Sequence, residues 1–437
     1  MMFVPKLSCN DKTIQQAFEI AIRDLCGNIK PFGIHGDCLM AGYDYDTPWT
    51  RDAAINVYNG FDLISPEVAK NTLQSVLTER DGQQTIGGQY WDCIIWSIGF
   101  KAYCERHPDP DFLQAGYDAL KNTVLLLEQA EFDPETKLFY GPAVYGDGIA
   151  AYPDEWINSE WDPSIWQIGN RKGDEILRGG YGLHMRALST NCLYAHTYRI
   201  LADLAEKLHQ EAKDWTDKAD CLTRQIQKLF QNPKTGSYDY LYRNCDFQEG
   251  LGISFLLQFG LLDGEEAKRL ISHTVLSPHG IACLDRTFPR YETTGEYGRH
   301  SGTIWPFING FWANAVRKYG FDQLFEQELY SLAEKIVRDG QCYEIYHPIS
   351  GMPYGGIQED LNPHPRMWES CRHQSWSASA FLSMILYGIL GMTCSNGTLA
   401  FYPKLPERME YLTIENILID NHLCRLSIDS KNHMEKS

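Results

Sequence analysis

Roughly twelve stretches with apolar residues at helical spacing follow one another between Asp11 and Leu390, and this succession limits what the chain can become. Asp11 to Cys26 sets the pattern, with Ile14, Phe18, Ala21, Ile22 and Leu25 on one stripe. Further helices are expected at Ala53–Leu63, Ser65–Leu77, Tyr90–Arg106, Phe112–Ala130, Leu188–Leu208 and Thr216–Phe230. Five more fall at Phe247–Gly260, Gly264–Leu276, Ile304–Tyr319, Phe321–Asp339 and Gln374–Leu390. Ser65-Pro66-Glu67 reads as an N-cap followed by a first-turn proline. The connections alternate between short and long, which pairs the helices into roughly six hairpins. There is no strand–helix alternation, so doubly wound and TIM folds are not supported. No fixed repeat period stands out, which speaks against TPR and HEAT arrays. An all-α fold remains, an (α/α)6 toroid with its long loops gathered at one end. Beyond Gly391 the period changes to two: Thr398–Pro403, Tyr411–Ile414 and Cys424–Asp429 read as strands. The expected organisation is a helical barrel over 1–392 and a short β-extension over 393–437.

Composition narrows the partner. A net charge of −18 speaks against nucleic acid and anionic membrane. No apolar run reaches the roughly 18 to 20 residues that cross a bilayer. The opening MMFVPKLSCNDK lacks the basic and apolar regions of a secretory signal. Thirteen cysteines are scattered without a C-x-x-C pair, which suits free thiols in a reducing cytoplasm. A soluble cytoplasmic protein acting on a neutral or cationic small molecule is expected, with its oligomeric state left open.

The chemistry-bearing residues lie in clusters at helix starts and in long loops. Tyr297–Val316 begins with Arg299, His300 and Ser301, then enters a helix through Trp305 and Pro306, with Asn309 one helical step beyond Trp305. An indole beside a carboxamide suits a sugar ring, with its apolar face and hydroxyl rim. Trp49-Thr50-Arg51-Asp52 opens another helix, and Tyr90-Trp91-Asp92 a third. A long loop-like span, Phe132 to Gly182, carries Asp147 between two glycines and then Asp154, Glu155 and Trp156. Glu344 lies between tyrosines, followed by Gly351, Pro353 and then Gln374 and Trp376. Taken singly, each carboxylate reads as a cap, a turn former or a solvated charge. Taken together, carboxylates flanked by Trp and Tyr fit glycoside hydrolysis. That reaction needs one carboxylic acid to protonate the leaving oxygen and a second carboxylate across the ring. Aromatic neighbours are expected to hold the acid protonated near neutral pH. No G-x-S-x-G elbow, P-loop, H-E-x-x-H or dinucleotide fingerprint competes. His273, His279, His300, His347, His364 and His373 are widely spaced, so no metal site is expected, and nothing in this chemistry needs a cofactor. A sugar epimerase or isomerase using His300 or His373, a phosphorylase, and a non-catalytic sugar binder stay open as alternatives.

The Glu344 region, with Gly351, Pro353, Gln374 and Trp376, resembles the general-base region of the helical-barrel glycosidases related to trehalase, processing α-glucosidase I and mannosylglycerate hydrolase. Gly302-Thr303-Ile304-Trp305-Pro306 with Asn309 is similar to their R-G-x-I-W-x-x-x-N stretch, shared with glycogen-debranching glucosidases. Ser301 stands at its arginine position, and Arg299 lies two residues earlier. Trp49-Thr50-Arg51-Asp52 resembles the W-x-R-D motif that holds the sugar, and Leu399–Pro406 resembles their β-tail. The resemblance touches points from about Gly42 to Leu426. It implies an inverting, exo-acting α-glycosidase acting on a glycoside or oligosaccharide, with Glu344 as general base. The E-S-G-x-D pattern of the acid is absent; Asp147 is its nearest counterpart in order, with Asp154 and Glu155 next. Arg51, Asp52 and Asp92 would bind sugar hydroxyls, and Trp49, Trp91, Trp305 and Trp376 would wall the pocket. Arg299, Asn309 and Gln374 complete the expected substrate-binding set.

Overall fold

The computed structural model describes residues 3–156, 185–358, 365–395, 397–420 and 422–437. Twelve α-helices longer than five residues lie among them, close to the expected positions. They are α1 (Lys12–Gly27), α2 (Thr50–Tyr58), α3 (Pro66–Ser75), α4 (Trp96–Arg106), α5 (Pro110–Glu131) and α6 (Leu188–Lys207). Then follow α7 (Lys213–Phe230), α8 (Gly250–Gln258), α9 (Gly264–His273), α10 (Pro306–Lys318), α11 (Asp322–Asp339) and α12 (Ser375–Ser383). Local chemistry sets several starts. Asp11 accepts from the Thr13 and Ile14 amides, and Asp109 from the Phe112 amide with Pro110 in the first turn. Ser65 occupies the N-cap of α3, but its hydroxyl makes no capping bond; Pro66 alone presets that start. The expected Phe247–Gly260 helix begins later, at Gly250, because Cys245–Gln248 pairs with Ser237–Leu241 as a strand. The expected Gln374–Leu390 helix widens into a π-helix over Met384–Ile389. The remainder of the Phe132–Gly182 span beyond Trp156, and His364, lie outside the described residues.

The packing order is a closed cycle. α2 packs on α4, α4 on α6, α6 on α8, α8 on α10, α10 on α12, and α12 returns to α2. These helices are buried almost all round, with every residue of α12 inside, as a helix enclosed by others must be. Their partners lie outside and bury one stripe each: α1 against α11 and α12, α3 against α2 and α4, α5 against α4 and α6, α7 against α6. Gly99 shows how close the cycle is drawn, since a Cβ there would stand 2.6 Å from the Ala54 carbonyl. The starting ends of the cycle helices are tied to each other. Glu249, before α8, accepts from the Ser189 amide of α6 at 2.9 Å. Gln374, before α12, reaches Asp52 of α2 at 3.4 Å.

Past α12 the chain becomes strands: β2 (Met392–Ser395), β3 (Thr398–Phe401), β4 (Leu412–Ile419), β5 (His422–Ile428) and β6 (Met434–Lys436). The last three join an antiparallel sheet whose outer strand is β1 (Lys6–Cys9), in the order β1-β4-β5-β6. No described helix is long and apolar enough to cross a membrane.

One buried acid makes stability depend on pH. Glu131, at the end of α5, is 1% exposed and its Oε1 has no partner among the described residues. Burial raises its carboxyl to about 8. A folded-state value above the ordinary carboxylate value gives stability that is complete below that ordinary value. It is lost as pH rises through the folded value, by at most about 5 kcal/mol. Glu131→Gln keeps the shape and removes the titration. Its melting temperature should match the parent near pH 4, exceed it increasingly from about pH 5 to 8, and hold a constant excess above that. Parallel curves for the two proteins would show that Glu131 is not held neutral.

Candidate active site

The tied helix ends enclose a cavity of about 150 Å³. Trp49 is the N-cap of α2, and the next side chain, Thr50, fastens this start by donating to the Gly87 carbonyl at 2.9 Å. Arg51 then lines the cavity. Its Nη1 bonds Gln89 and Asp92, and its Nη2 bonds Asp147 Oδ2 at 2.8 Å. The other Asp147 oxygen lies 3.0 Å from His300 Nε2. His300 stacks on Trp305, the N-cap of α10, at 5.2 Å between ring centres. On the same cavity, Glu344 receives Arg299 Nη2, while Arg299 Nη1 holds the Gly355 carbonyl at 3.0 Å. The Glu344 amide donates to the Cys371 carbonyl at 2.9 Å, and the Cys371 thiol meets the Tyr45 hydroxyl at 3.4 Å. Tyr45, Trp49, Tyr145, Trp305, Trp368 and Trp376 supply the aromatic walls. Asp52, Gln358 and Gln374 face the same space.

Electrostatics separates the carboxylates. Burial pushes Asp52 up to about 7, with Arg51 pulling against it and Glu344 adding to it. Burial raises Asp92 to about 6 against the same arginine. Burial works on Asp147 too, but Arg51 and His300 outweigh it and hold this carboxyl well below the usual range. The aromatic neighbours therefore do not keep Asp147 protonated, contrary to expectation, because Arg51 and His300 lie directly against its oxygens. His300 is itself pushed down by burial, which favours the neutral ring.

Several buried wall atoms lack partners among the described residues: the indole N–H groups of Trp368 and Trp376, and the amide oxygens of Gln358 and Gln374. Unpaired donors and acceptors on the residues around one cavity are what a ring of hydroxyls, each both donor and acceptor, can fill.

A family model, the mannosylglycerate hydrolase MGH1-like glycoside hydrolase domain, matches residues 45–377. This chain belongs to that family. It is thus a glycosidase, and its relation to the processing α-glucosidase I group agrees with the resemblance of its motifs. No curated protein matches by sequence. Among solved structures, a GH63 mannosylglycerate hydrolase from Thermus thermophilus in complex with glucose is similar, at 17% identity and a TM-score of 0.63. That match covers 84% of this chain and 98% of the other. A sialidase is similar at 14% identity and a TM-score of 0.75, and a GH78 rhamnosidase of Bacillus sp. GL1 at 14% and 0.68. The chain spans 40% of the length of each of these two. At such identities the likeness is one of fold.

In this MGH1-like glycosidase, nine of the twelve expected site residues line the cavity: Trp49, Arg51, Asp52, Asp147, Arg299, Trp305, Glu344, Gln374 and Trp376. The other three stand behind it. Trp91 is fully buried beneath Gly141, whose Cβ position lies 2.7 Å from its side chain. Asp92 holds Arg51 from the rear. Asn309 does not reach the cavity: its Nδ2 donates to Glu328 of α11 at 2.9 Å and to the Ile281 carbonyl at 3.2 Å. Asp154 pairs with Arg290 at 2.5 Å and Glu155 is exposed, so neither reserve candidate faces the cavity. Arg299, two residues before the motif's arginine position, is aimed at Glu344 by a turn at Gly298–Ser301. The sequence reading missed Tyr45, Gln358, Trp368 and Cys371 as wall residues. Tyr45 was findable, because Tyr43-Asp44-Tyr45-Asp46 alternates aromatic and acid just before the Trp49–Asp52 motif.

Proposed function

We propose that this glycosidase is an inverting, exo-acting α-glycosidase of the cytoplasm, in which Asp147 is the general acid and Glu344 the general base. The closed cycle of six helices inside their partners is read as an (α/α)6 toroid over 1–392, with 393–437 as its β-extension. The observation that carries the reading is the pairing of Asp147 and Glu344, from separate loops, on one aromatic-walled cavity. Its volume of about 150 Å³ fits one sugar residue better than a length of chain, which favours cleavage at an end. Asp147 would protonate the glycosidic oxygen while Glu344, paired with Arg299, takes a proton from a water on the far face of the ring. Arg51, Asp52 and Gln374 would hold the ring hydroxyls. The glucose bound to the Thermus thermophilus hydrolase supports a neutral hexose-type glycone.

The test is the first product. With p-nitrophenyl α-glycosides in phosphate-free buffer, proton NMR should show the β-anomer before mutarotation. An α-anomer first would replace inversion by retention. Turnover only with added phosphate would make the enzyme a phosphorylase.

A further inference from the structure

Gln358 has no counterpart in the motifs that carried the sequence reading, yet it occupies the junction between the two carboxylate loops. It ends the short strand Ile357–Gln358, which pairs with Arg366–Met367. The preceding residue is clamped to the Arg299 segment: the Arg299 amide donates to the Ile357 carbonyl at 2.8 Å, and the Ile357 amide to the Tyr297 carbonyl at 2.9 Å. The Gln358 carboxamide then lies against Gly148, the residue after Asp147. A Cβ on Gly148 would stand 1.8 Å from Gln358 Oε1, so only glycine admits the contact. Gly148 has a φ of −138°, a conformation open to any residue, and close approach is the reason for glycine here. Gln358 is 3% exposed, lines the cavity, and its Oε1 has no partner among the described residues.

A buried and unpaired amide oxygen on a residue of the cavity wall calls for a donor brought by the ligand, because an unpaired buried acceptor is destabilising. Its position beside Asp147 places it on the side where the leaving oxygen departs, if Asp147 is the acid. We infer that Gln358 reads a hydroxyl of the leaving group, so that the natural leaving group is a sugar or polyol rather than an alkyl or aryl alcohol. This rests on the acid assignment proposed above; the cavity wall position of Gln358 does not.

The experiment compares a disaccharide with the p-nitrophenyl glycoside of the same glycone, the glycone being the one the parent enzyme cleaves fastest. In Gln358→Leu, the ratio of kcat/KM for the disaccharide to that for the nitrophenyl glycoside should fall by roughly 10- to 100-fold, as expected when a buried hydrogen bond to substrate is lost. Gly148→Ala, which must displace the carboxamide, should shift the ratio the same way. Gln358→Glu, which keeps an acceptor, should retain most of the parent ratio. Equal losses on both substrates, with a lowered melting temperature, would reduce Gln358 to a packing residue and overturn the inference. If the parent cleaves neither substrate, the glycosidase mechanism fails by itself. Calorimetry with a panel of neutral disaccharides then decides, and equal affinity for parent and Gln358→Leu overturns the inference.

Discussion

Glu344→Gln is expected to lower kcat by roughly 10²- to 10⁴-fold, the contribution of a positioned general base. The amide keeps the length and one acceptor oxygen for Arg299, so the arginine, 8% exposed, is not left wholly unpaired. It cannot take a proton from water. Sugar affinity by calorimetry should stay within a few-fold of the parent. Melting should fall by a few degrees, since a buried charge pair becomes a charge–dipole contact. Glu344→Ala adds a second readout: azide, which needs no base, should restore turnover and yield a β-glycosyl azide. A loss of only a few-fold in Glu344→Gln, or no azide product, would take the base role away from this residue.

The helices were legible because their apolar stripes are long and regular, and α1, α5 and α7 carry cues that need no tertiary context. Boundaries slipped where tertiary pairing overrode periodicity. Phe247 looks helical by spacing but lies in a strand paired with Ser237–Leu241. In the site, residues inside a local motif were found, and residues delivered by long-range contact were not. Trp49, Arg51 and Asp52 share one helix start, whereas Gln358 reaches the cavity only because its strand is registered on Arg299. Asn309 shows the opposite error: one helical step from Trp305 in sequence, it turns toward α11 and spends its amide on Glu328. The charge state of Asp147 was equally hidden, because Arg51 and His300 lie far from it in the chain. Counting neighbouring aromatics captured the desolvation and missed the partners that outweigh it.

Asp147→Asn should lower kcat/KM by roughly 10²- to 10⁴-fold for leaving groups that must be protonated, and far less for dinitrophenyl glycosides, which need little help. The pH profile carries the sharper test. One Asp147 oxygen accepts from Arg51 at 2.8 Å, the other lies 3.0 Å from His300, and the carboxyl is held well below its usual range. An acid with a lowered value in the free enzyme is protonated less and less as pH rises. So kcat/KM, which reports the free enzyme, should fall about tenfold per pH unit across the neutral range. A bound glycone offers Arg51 new oxygen partners and shuts water out, which weakens its hold on Asp147 and lets burial raise the carboxyl. The alkaline limb of kcat, which reports the complex, should therefore lie at higher pH than that of kcat/KM. Binding of an unreactive glycoside analogue near pH 7 should also take up a proton, seen by calorimetry in buffers of different ionisation enthalpy. In Asp147→Asn the alkaline slope should vanish and the proton uptake with it. Coincident limbs and no proton uptake would mean that the Arg51–Asp147 pair survives substrate binding. Asp147 could not then donate, and the acid would have to be sought at Asp52, whose carboxyl burial holds up to about 7 on the same cavity wall.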